Sequence, residues 1–397
     1  MSAAPNCHAH LDAEYMTRAL TLAEQGLYTT TPNPRVGCVL VKAGAVVAEG
    51  FHIRAGQGHA EINALAAAGA QAHGSSAYVT LEPCNHQGRT GPCSQALIDA
   101  GVVEVVYGMQ DPNPQVAGQG LQRLRDAGIH VRGPVLESQA LALNPGFIKR
   151  MLTGLPYVRC KLAMSLDGRT AMASGESQWI TGSAAREDVQ KLRARSCSII
   201  TGSGTVVADN PALTVRSPNI VHAVSQLGAD SHPRQPLRIV VDSTLRTPLN
   251  AKILQQPNNT VFASTQNTSA HGGAAVWSLV NSTKNQHVDL AALIDQLGTR
   301  QHNEVLIEAG PTLAGAFMQA GLIDEVVIYM ASKLMGSAGK PLFELPLSQM
   351  SQNIDLTLNS MTQVGNDWRI VAYPHNIAVP YAHNNIPTQE PVCSPEL

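Results

Sequence analysis

The feature that most constrains this 397-residue chain is a set of potential metal ligands, His59, Cys84 and Cys93, with Glu61 two residues after the histidine. Zn²⁺ prefers tetrahedral coordination by imidazole nitrogen and thiolate sulfur, and three protein ligands leave the fourth position for water. Water bound there loses a proton near neutral pH and becomes a nucleophile. Glu61 is close enough in sequence to move protons without occupying the metal. The fold must therefore bring three separated positions around one ion.

The order of these residues is that of the zinc deaminases, in which His-x-Glu precedes Pro-Cys and a second cysteine, and the glutamate is the general acid and base. In this chain eight residues separate Cys84 from Cys93, whereas two are usual in that signature. The long, polar, glycine-bearing loop suits contact with a ligand and indicates a subclass within the zinc deaminases. His86 lies in this loop, but His59 and the two cysteines already complete the usual three ligands.

The charge balance argues against a partner that is bound through phosphates along a nucleic acid. The formal net charge is −2, and residues 1–150 contain ten Lys and Arg against eleven Asp and Glu. A deaminase that flips a base out of tRNA or DNA is expected to have a positive surface. The sequence therefore predicts action on a free small molecule, with no nucleic-acid partner.

Cysteine usage and hydrophobic runs indicate the compartment. The seven cysteines are an odd number and lack the spacing of a disulfide framework. Together with a pair of cysteines suited to zinc, this favours a reducing cytoplasm. The first ten residues have no basic region followed by an apolar run, so no signal peptide is predicted. No stretch approaches the roughly 18 apolar residues of a membrane span. A cytoplasmic location without a membrane partner is expected.

Strand and helix patterns alternate along the chain, which is typical of an α/β fold. In the first half they predict helices over 13–27, 59–68, 93–100 and 137–150, a hairpin over 36–48, and strands over 77–81 and 102–107. The metal is thus expected at the tips of two adjacent helices. The segment 153–156 contains a glycine and a proline, which interrupt regular secondary structure and mark the domain boundary. The predicted domains are therefore 1–154 and 155–374, followed by a flexible tail over 375–397.

The second half contains three clusters in which a strand-like run ends at a polar or glycine-bearing turn. They are residues 161–170, 201–216 and 307–314. A strand–glycine turn–helix arrangement points backbone N–H groups at an anion. None of the three has the G-x-G-x-x-G spacing, so a Rossmann dinucleotide domain is not predicted. Each cluster by itself is weak evidence for a ligand-binding site.

Taken together, the motifs of both halves resemble the bifunctional deaminase/reductases of riboflavin biosynthesis over roughly residues 12–372. The segments that carry the resemblance are 31–37, 59–61, 80–93, 111–118, 165–168, 176–181 and 209–216. The resemblance implies a cytidine-deaminase-like three-layer α/β/α domain followed by a dihydrofolate-reductase-like α/β domain. The long loop between the cysteines is what this family has.

The resemblance also implies two reactions on phosphorylated pyrimidines. The first domain would hydrolyse the 2-amino group of 2,5-diamino-6-(5-phosphoribosylamino)pyrimidin-4(3H)-one with one Zn²⁺, and Glu61 would relay the proton. The second would reduce the ribosyl side chain of 5-amino-6-(5-phosphoribosylamino)uracil to ribityl with NADPH, which supplies the hydride. A homo-oligomer, dimer or tetramer, is expected.

Individual site residues follow from the same resemblance. Asn33 falls at the family position that hydrogen-bonds the pyrimidine, and His52 is a second candidate there. In the reductase the positions at the substrate are Ser177, Arg193, Leu213, Arg216 and Glu308. Those at NADPH are Ala163, Trp179, Thr205, Asp209, Ser243, Gly310, Pro311, Thr312, Leu313, Ala314, Gly315 and Ala316.

Side-chain chemistry suggests more specific roles in the reductase. Arg193 and Arg216 suit the substrate phosphate, because a guanidinium offers a bidentate fork. Lys161 is a candidate for assisting the opening of the ribose or stabilising the imine that receives hydride.

Two other functions remain open at this point. One is a tRNA or nucleobase deaminase with an appended binding module, against which the near-neutral charge and the long loop between the cysteines both count. The other is a non-catalytic protein whose zinc stabilises the fold. Structural zinc sites usually close with four ligands, whereas this chain offers three and a glutamate.

Overall fold

The computed structural model describes residues 5–85, 91–114, 116–228, 232–256, 259–280 and 287–375, with the backbone alone for 5–9. The helices are Pro5–Glu24 (α1), Ala60–Ala68 (α2), Cys93–Asp99 (α3), Gln119–Asp126 (α4), Glu137–Leu143 (α5), Pro145–Thr153 (α6), Ser183–Arg195 (α7), Ser203–Asp209 (α8), Pro218–Ser225 (α9), Leu290–Thr299 (α10) and Pro311–Gln319 (α11). The strands are Gly37–Lys42 (β1), Ala45–Phe51 (β2), Ser76–Val79 (β3), Glu104–Tyr107 (β4), His130–Arg132 (β5), Tyr157–Ser165 (β6), Arg169–Ala171 (β7), Ser198–Gly202 (β8), Leu237–Val241 (β9), Thr260–Ser264 (β10), Ala270–His271 (β11), Ala274–Ser278 (β12), Glu304–Ile307 (β13), Glu325–Ala331 (β14), Lys340–Pro341 (β15), Leu356–Val364 (β16) and Asp367–Pro374 (β17).

The first half forms a five-stranded sheet in the order β2-β1-β3-β4-β5. Strand β1 is antiparallel to both of its neighbours, whereas β3, β4 and β5 are parallel. Side chains of β1 alternate between the two faces. Cys38 and Leu40 pack in the core under α2, whereas Val39 and Val41 pack against α1. Helices on both faces of one sheet give the three-layer α/β/α arrangement that the family resemblance implied.

The second half forms a ten-stranded sheet in the order β11-β12-β10-β9-β8-β13-β6-β14-β17-β16. Its seven central strands, β12 to β14 in that order, are parallel, and both edges end in antiparallel strands. One face is covered by α10 and α11, and the other by α7. The carboxyl ends of the parallel strands therefore meet along one edge, where ligands bind in open α/β sheets.

The connection between the halves differs from its prediction. The sequence predicted one helix over 137–150, but the chain forms α5 and α6, divided at Asn144. Pro145 has no N–H and disfavours a helical conformation of the residue before it, so the helix restarts at the proline. The side chain of Asn144 accepts from the backbone N–H of Arg35 and donates to its carbonyl, both at 2.8 Å.

Several elements were not predicted from sequence patterns, among them α4, α9, β5, β12 and the hairpin of β16 and β17. Strand β16 is the edge strand and is largely exposed, and its alternation of apolar residues at Leu356 and Leu358 is interrupted by an irregularity in the pairing after Leu358. The expected flexible tail over 375–397 lies, apart from His375, outside the described residues. Among the residues that the structure describes, no helix combines the length and apolar character that crossing a membrane requires.

Candidate active sites

Three elements of the first half bring His59, Cys84 and Cys93 together. His59 directly precedes α2, Cys93 is the first residue of α3, and Cys84 lies in the segment that follows β3. The Nδ1 atom of His59 is 3.6 Å from the Sγ atom of Cys84 and 3.3 Å from that of Cys93. In a tetrahedral zinc site, ligand distances of 2.0–2.3 Å place neighbouring ligand atoms about 3.5 Å apart. The spacing therefore fits one zinc ion.

The chemistry of the two thiols also fits a divalent cation. The hydrogen bond with Cys93, followed by that with His59, lowers the pKa of Cys84 to about 4. The same bond raises the pKa of Cys93, so the two sulfurs compete for one proton. A metal ion removes this competition, because a coordinated thiol is fully deprotonated. The N–H at the start of α3 donates to Cys84 Sγ at 3.4 Å and further favours thiolate.

Glu61 lies in the first turn of α2, two residues after the proposed metal ligand His59. It is 3% exposed, and burial, followed by the negative charge of Cys84, raises its pKa to about 7. A buried carboxyl group that lies two residues after a metal ligand but is not one of the three ligands is in the position that a general acid and base requires.

Asn33 and His52 form a pair next to the cluster. The Nδ1 atom of His52 is 3.0 Å from the carbonyl of Gly58, and its Nε2 atom is 3.1 Å from Nδ2 of Asn33. Burial lowers the pKa of His52, which favours the neutral ring. Since a carbonyl only accepts, Nδ1 carries the proton and Nε2 accepts from Asn33. This leaves the Asn33 carbonyl oxygen for a ligand and commits both His52 nitrogens to protein partners.

Glu82 is a site residue whose role sequence reasoning missed. Its buried carboxylate accepts four backbone N–H groups, those of Asp111 (3.1 Å), Gly118 (2.9 Å), Gly120 (2.9 Å) and Leu121 (3.3 Å). Glu82, two residues before Cys84, therefore anchors the backbone of Asp111, Gly118, Gly120 and Leu121. The signal in the sequence was an acidic residue that is directly followed by proline and lies two positions before a metal ligand.

The second half contains a cavity of about 1430 Å³ at the carboxyl edge of its sheet. All of the predicted reductase positions line it except Ala314 and Gly315. Those two lie on α11 but face away from the cavity. Ala314 is buried in the core, and a Cβ on Gly315 would meet the backbone of Glu344. The structure thus brings together residues that are up to 155 positions apart, from Lys161 to Ala316.

Glu308 is the centre of a charged cluster in this cavity. Arg193 binds it through two contacts, Nε to Oε1 at 2.6 Å and Nη2 to Oε2 at 2.9 Å, and Lys161 Nζ is 3.6 Å from Oε2. Burial opposes ionisation of Glu308, but Arg193 and Lys161 lower its pKa to about 2. The guanidinium fork that suited Arg193 to a phosphate is therefore committed to a carboxylate.

Arg216 remains available as a phosphate ligand. It is exposed at the cavity, its backbone N–H donates to Gln190 Oε1 at 2.9 Å, and across the described residues its guanidinium forms no ion pair. Gln190 and Arg186 also line the cavity, and Arg186 stacks 4.5 Å over the ring of Trp179. Sequence analysis missed both, although they lie on the same face of α7 as Arg193, at spacings of three and four residues.

The sequence matches two protein families. The RibD C-terminal domain matches residues 156–370, and the cytidine and deoxycytidylate deaminase zinc-binding region matches residues 9–109. Over 357 residues the chain is 53% identical to the riboflavin biosynthesis protein RibD of Escherichia coli, which covers 90% of this chain and 97% of that protein. The chain belongs to the RibD family. The RibD protein of Haemophilus influenzae is 47% identical over 92% of this chain and 98% of its own.

Solved RibD structures share the whole architecture. Acinetobacter baumannii RibD, form 1, is 46% identical with a TM-score of 0.84, and the match covers 92% of this chain and 99% of that one. A diaminohydroxyphosphoribosylaminopyrimidine deaminase/5-amino-6-(5-phosphoribosylamino)uracil reductase from Thermotoga maritima is 30% identical with a TM-score of 0.81, over 92% and 99% of the two chains. The RibD match extends through both halves.

Membership of the RibD family settles the main functional question. The chain is a bifunctional deaminase and reductase of riboflavin biosynthesis, with a zinc-binding region in its deaminase half. The predicted family, α/β fold class and pair of activities are confirmed. A tRNA or nucleobase deaminase with an appended module is not favoured, because the second half is itself the RibD reductase domain.

Proposed function

We propose that this enzyme carries out two successive steps on phosphorylated pyrimidines. The first half removes the 2-amino group of 2,5-diamino-6-(5-phosphoribosylamino)pyrimidin-4(3H)-one, and the second reduces the ribosyl group of 5-amino-6-(5-phosphoribosylamino)uracil with NADPH. The observation that carries the proposal is the group of metal-binding side chains His59, Cys84 and Cys93 near a buried Glu61 in one half, together with a separate large cavity lined by Lys161 and Glu308 in the other. The Thermotoga maritima relative is named for both activities.

In the deaminase, each residue near the cluster has a proposed task. His59, Cys84 and Cys93 hold Zn²⁺, which supplies a water-derived nucleophile at neutral pH. Glu61 takes a proton from the attacking water and delivers it to the departing amino group. The carbonyl oxygen of Asn33, directed by the bond to His52, accepts a hydrogen bond from the pyrimidine.

In the reductase, the cavity is proposed to hold dinucleotide and substrate side by side. NADPH supplies the hydride when bound. The N-terminus of α11 offers the first-turn backbone N–H groups of Thr312 and Leu313 to its phosphates, and the exposed ring of Trp179 offers a stacking surface. Arg216 binds the substrate phosphate. Lys161, held by Glu308, stabilises the opened ribose or the imine derived from it.

The same proposal extends to organisation and location. We place the domain division at 154/155 because no strand is shared between the two sheets. None of the five described cysteines forms a disulfide, which supports the reducing cytoplasm expected from the sequence. A dimer or tetramer remains a proposal, supported by the exposed Leu356, Leu358 and Met361 on edge strand β16. A mass determination in solution tests it.

Metal removal tests directly whether the two reactions take place at separate sites, of which only the first needs zinc. We expect chelation of zinc to abolish ammonia release from the diaminopyrimidine phosphate, whereas NADPH oxidation with the supplied uracil intermediate continues. Added Zn²⁺ restores ammonia release. The physical reason is that the cluster lies in the first sheet's domain and the cavity in the second. Both rates are followed separately in the same preparation, and ammonia release that survives stoichiometric zinc loss would contradict the proposal.

Two substitutions separate the proposed roles in the reductase cavity. Arg216→Ala is expected to raise KM for the phosphorylated uracil about 10- to 100-fold with little change in kcat, because a charge-assisted contact made in ground and transition states alike is lost. Lys161→Ala is expected to lower kcat about 10²-fold or more with substrate binding retained. Steady-state kinetics and a binding titration measure both. An unchanged rate in Lys161→Ala would leave Lys161 as a simple partner of Glu308.

A further inference from the structure

The loop that carries Asn33 is held in place by Asn303 of the reductase half, together with Arg150 of α6. Asn303, which immediately precedes β13, donates from Nδ2 to the carbonyl of Pro32 at 3.0 Å. Its Oδ1 accepts from Nε of Arg150 on α6 at 2.6 Å, and Arg150 also reaches the Pro32 carbonyl at 3.3 Å. Two of these three hydrogen bonds end on the carbonyl of Pro32, the residue next to Asn33, and the third joins the two donors to each other.

Two further contacts tie the same loop to the same part of the reductase. Arg35 pairs with Glu304 at 2.7 Å, and both side chains are buried. Thr31 Oγ1 is 3.3 Å from Sγ of Cys197. Cys197 in turn accepts the backbone N–H of Asn303 at 3.2 Å. Both ends and the middle of the loop thus contact residues at the amino ends of the adjacent strands β8 and β13.

Packing makes this junction stiff. Asn303 is 5% exposed, and a Cβ on Gly146 of α6 would collide with the backbone of Asn303. Prolines 32 and 34 limit the backbone freedom of Asn33, so a displacement of Pro32 moves Asn33 as well. The orientation of the Asn33 amide therefore depends on groups that belong to the other catalytic half.

We propose that Asn303 is a positioning residue for deamination, through its hydrogen bond to the Pro32 carbonyl. It acts on the substrate only through the placement of Asn33. The inference rests on the proposed contact between Asn33 and the pyrimidine. It assigns to the reductase half a contribution to substrate binding in the deaminase, whose metal ligands and general base all lie in the first half.

The test uses Asn303→Asp in the full-length zinc-loaded enzyme. This isosteric change keeps the acceptor for Arg150 but replaces the donor to Pro32 with a second acceptor. We expect KM for deamination to rise about tenfold, as for a lost hydrogen bond with added repulsion, with kcat within about twofold and zinc content unchanged. Asn303→Ala, which removes the donor without repulsion, should give a smaller rise in the same direction.

Reduction of the supplied uracil intermediate is an internal control. Glu308, a cavity residue, follows β13 by one position, so local unfolding at Asn303 would impair reduction as well. A matched variant is Asn259→Asp, since Asn259 Nδ2 donates at 2.8 Å to another proline carbonyl, Pro236, within the reductase. It should leave the KM for deamination unchanged. An equal rise in Asn259→Asp, or no rise in either Asn303 variant, overturns the proposal.

Failure of the underlying assignment is distinguishable from failure of this inference. Asn33→Ala is measured in parallel. If it leaves deamination unaffected, the proposed contact of Asn33 with the pyrimidine is wrong. If it impairs deamination while both Asn303 variants behave as wild type, only the positioning role of Asn303 is overturned.

Discussion

Glu61→Gln is expected to lower kcat for deamination by a factor of about 10²–10⁴, the range for loss of a general acid and base. Gln preserves the shape and hydrogen-bonding capacity of the side chain but cannot exchange a proton. His59, Cys84 and Cys93 are untouched, so zinc content should remain at one per chain. The measurement is ammonia release from the diaminopyrimidine phosphate.

The second activity gives this experiment its control. The Glu61→Gln enzyme should reduce the supplied uracil intermediate at the wild-type rate, since Glu61 lies outside the reductase cavity. Loss of both activities would point to misfolding. Full deamination with zinc retained would show that Glu61 is not the proton relay.

Glu304→Gln is expected to lower the free energy of unfolding of the second half by about 3–5 kcal/mol, the range for breaking a buried ion pair. Glu304 is 1% exposed and pairs with Arg35 at 2.7 Å, with Arg195 at 2.9 Å and with Arg159. The substitution leaves three guanidinium groups near one neutral amide. All three tryptophans follow residue 154, so urea titration monitored by tryptophan fluorescence reports on this half.

The pH dependence of that loss has a definite sign. Burial opposes ionisation of Glu304, but Arg195, Arg35 and Arg159 hold its pKa well below the usual value. A carboxyl whose pKa is lowered on folding contributes stability above its unfolded pKa of about 4.3, and the contribution is lost as pH falls through the folded value. The difference between wild type and Glu304→Gln should therefore be full at pH 7 and shrink below about pH 4.

A partly exposed ion pair supplies the comparison. Glu104 binds Arg132 at 2.7 Å, and both side chains retain contact with water. Glu104→Gln is expected to cost at most about 1 kcal/mol, because solvent screens such a pair. The two variants are compared by urea titration followed by far-UV circular dichroism, because the first half contains no tryptophan. If Glu304→Gln costs no more than Glu104→Gln, the buried cluster is not what holds the second half together.

The order and type of residues were enough to predict the chemistry of the first site. His59, Glu61, Cys84 and Cys93 were identified because zinc accepts few kinds of donor and the spacing follows a known order. The α/β class was predictable too, since strand-like and helix-like runs alternate. Asn33 and the cavity residues came from family resemblance, which marks positions but gives no contacts.

What the tertiary structure decided are the partners of charged and polar side chains. Arg193 had the right chemistry for a phosphate, but folding places it on Glu308, 115 positions away. Asn303, which no pattern marks, meets Pro32 across 271 positions. Local sequence determines which groups a chain has and which elements it forms. The hydrogen-bond and ion-pair partners of buried groups depend on how the two sheets and their helices pack. That packing is fixed only when the whole chain has folded.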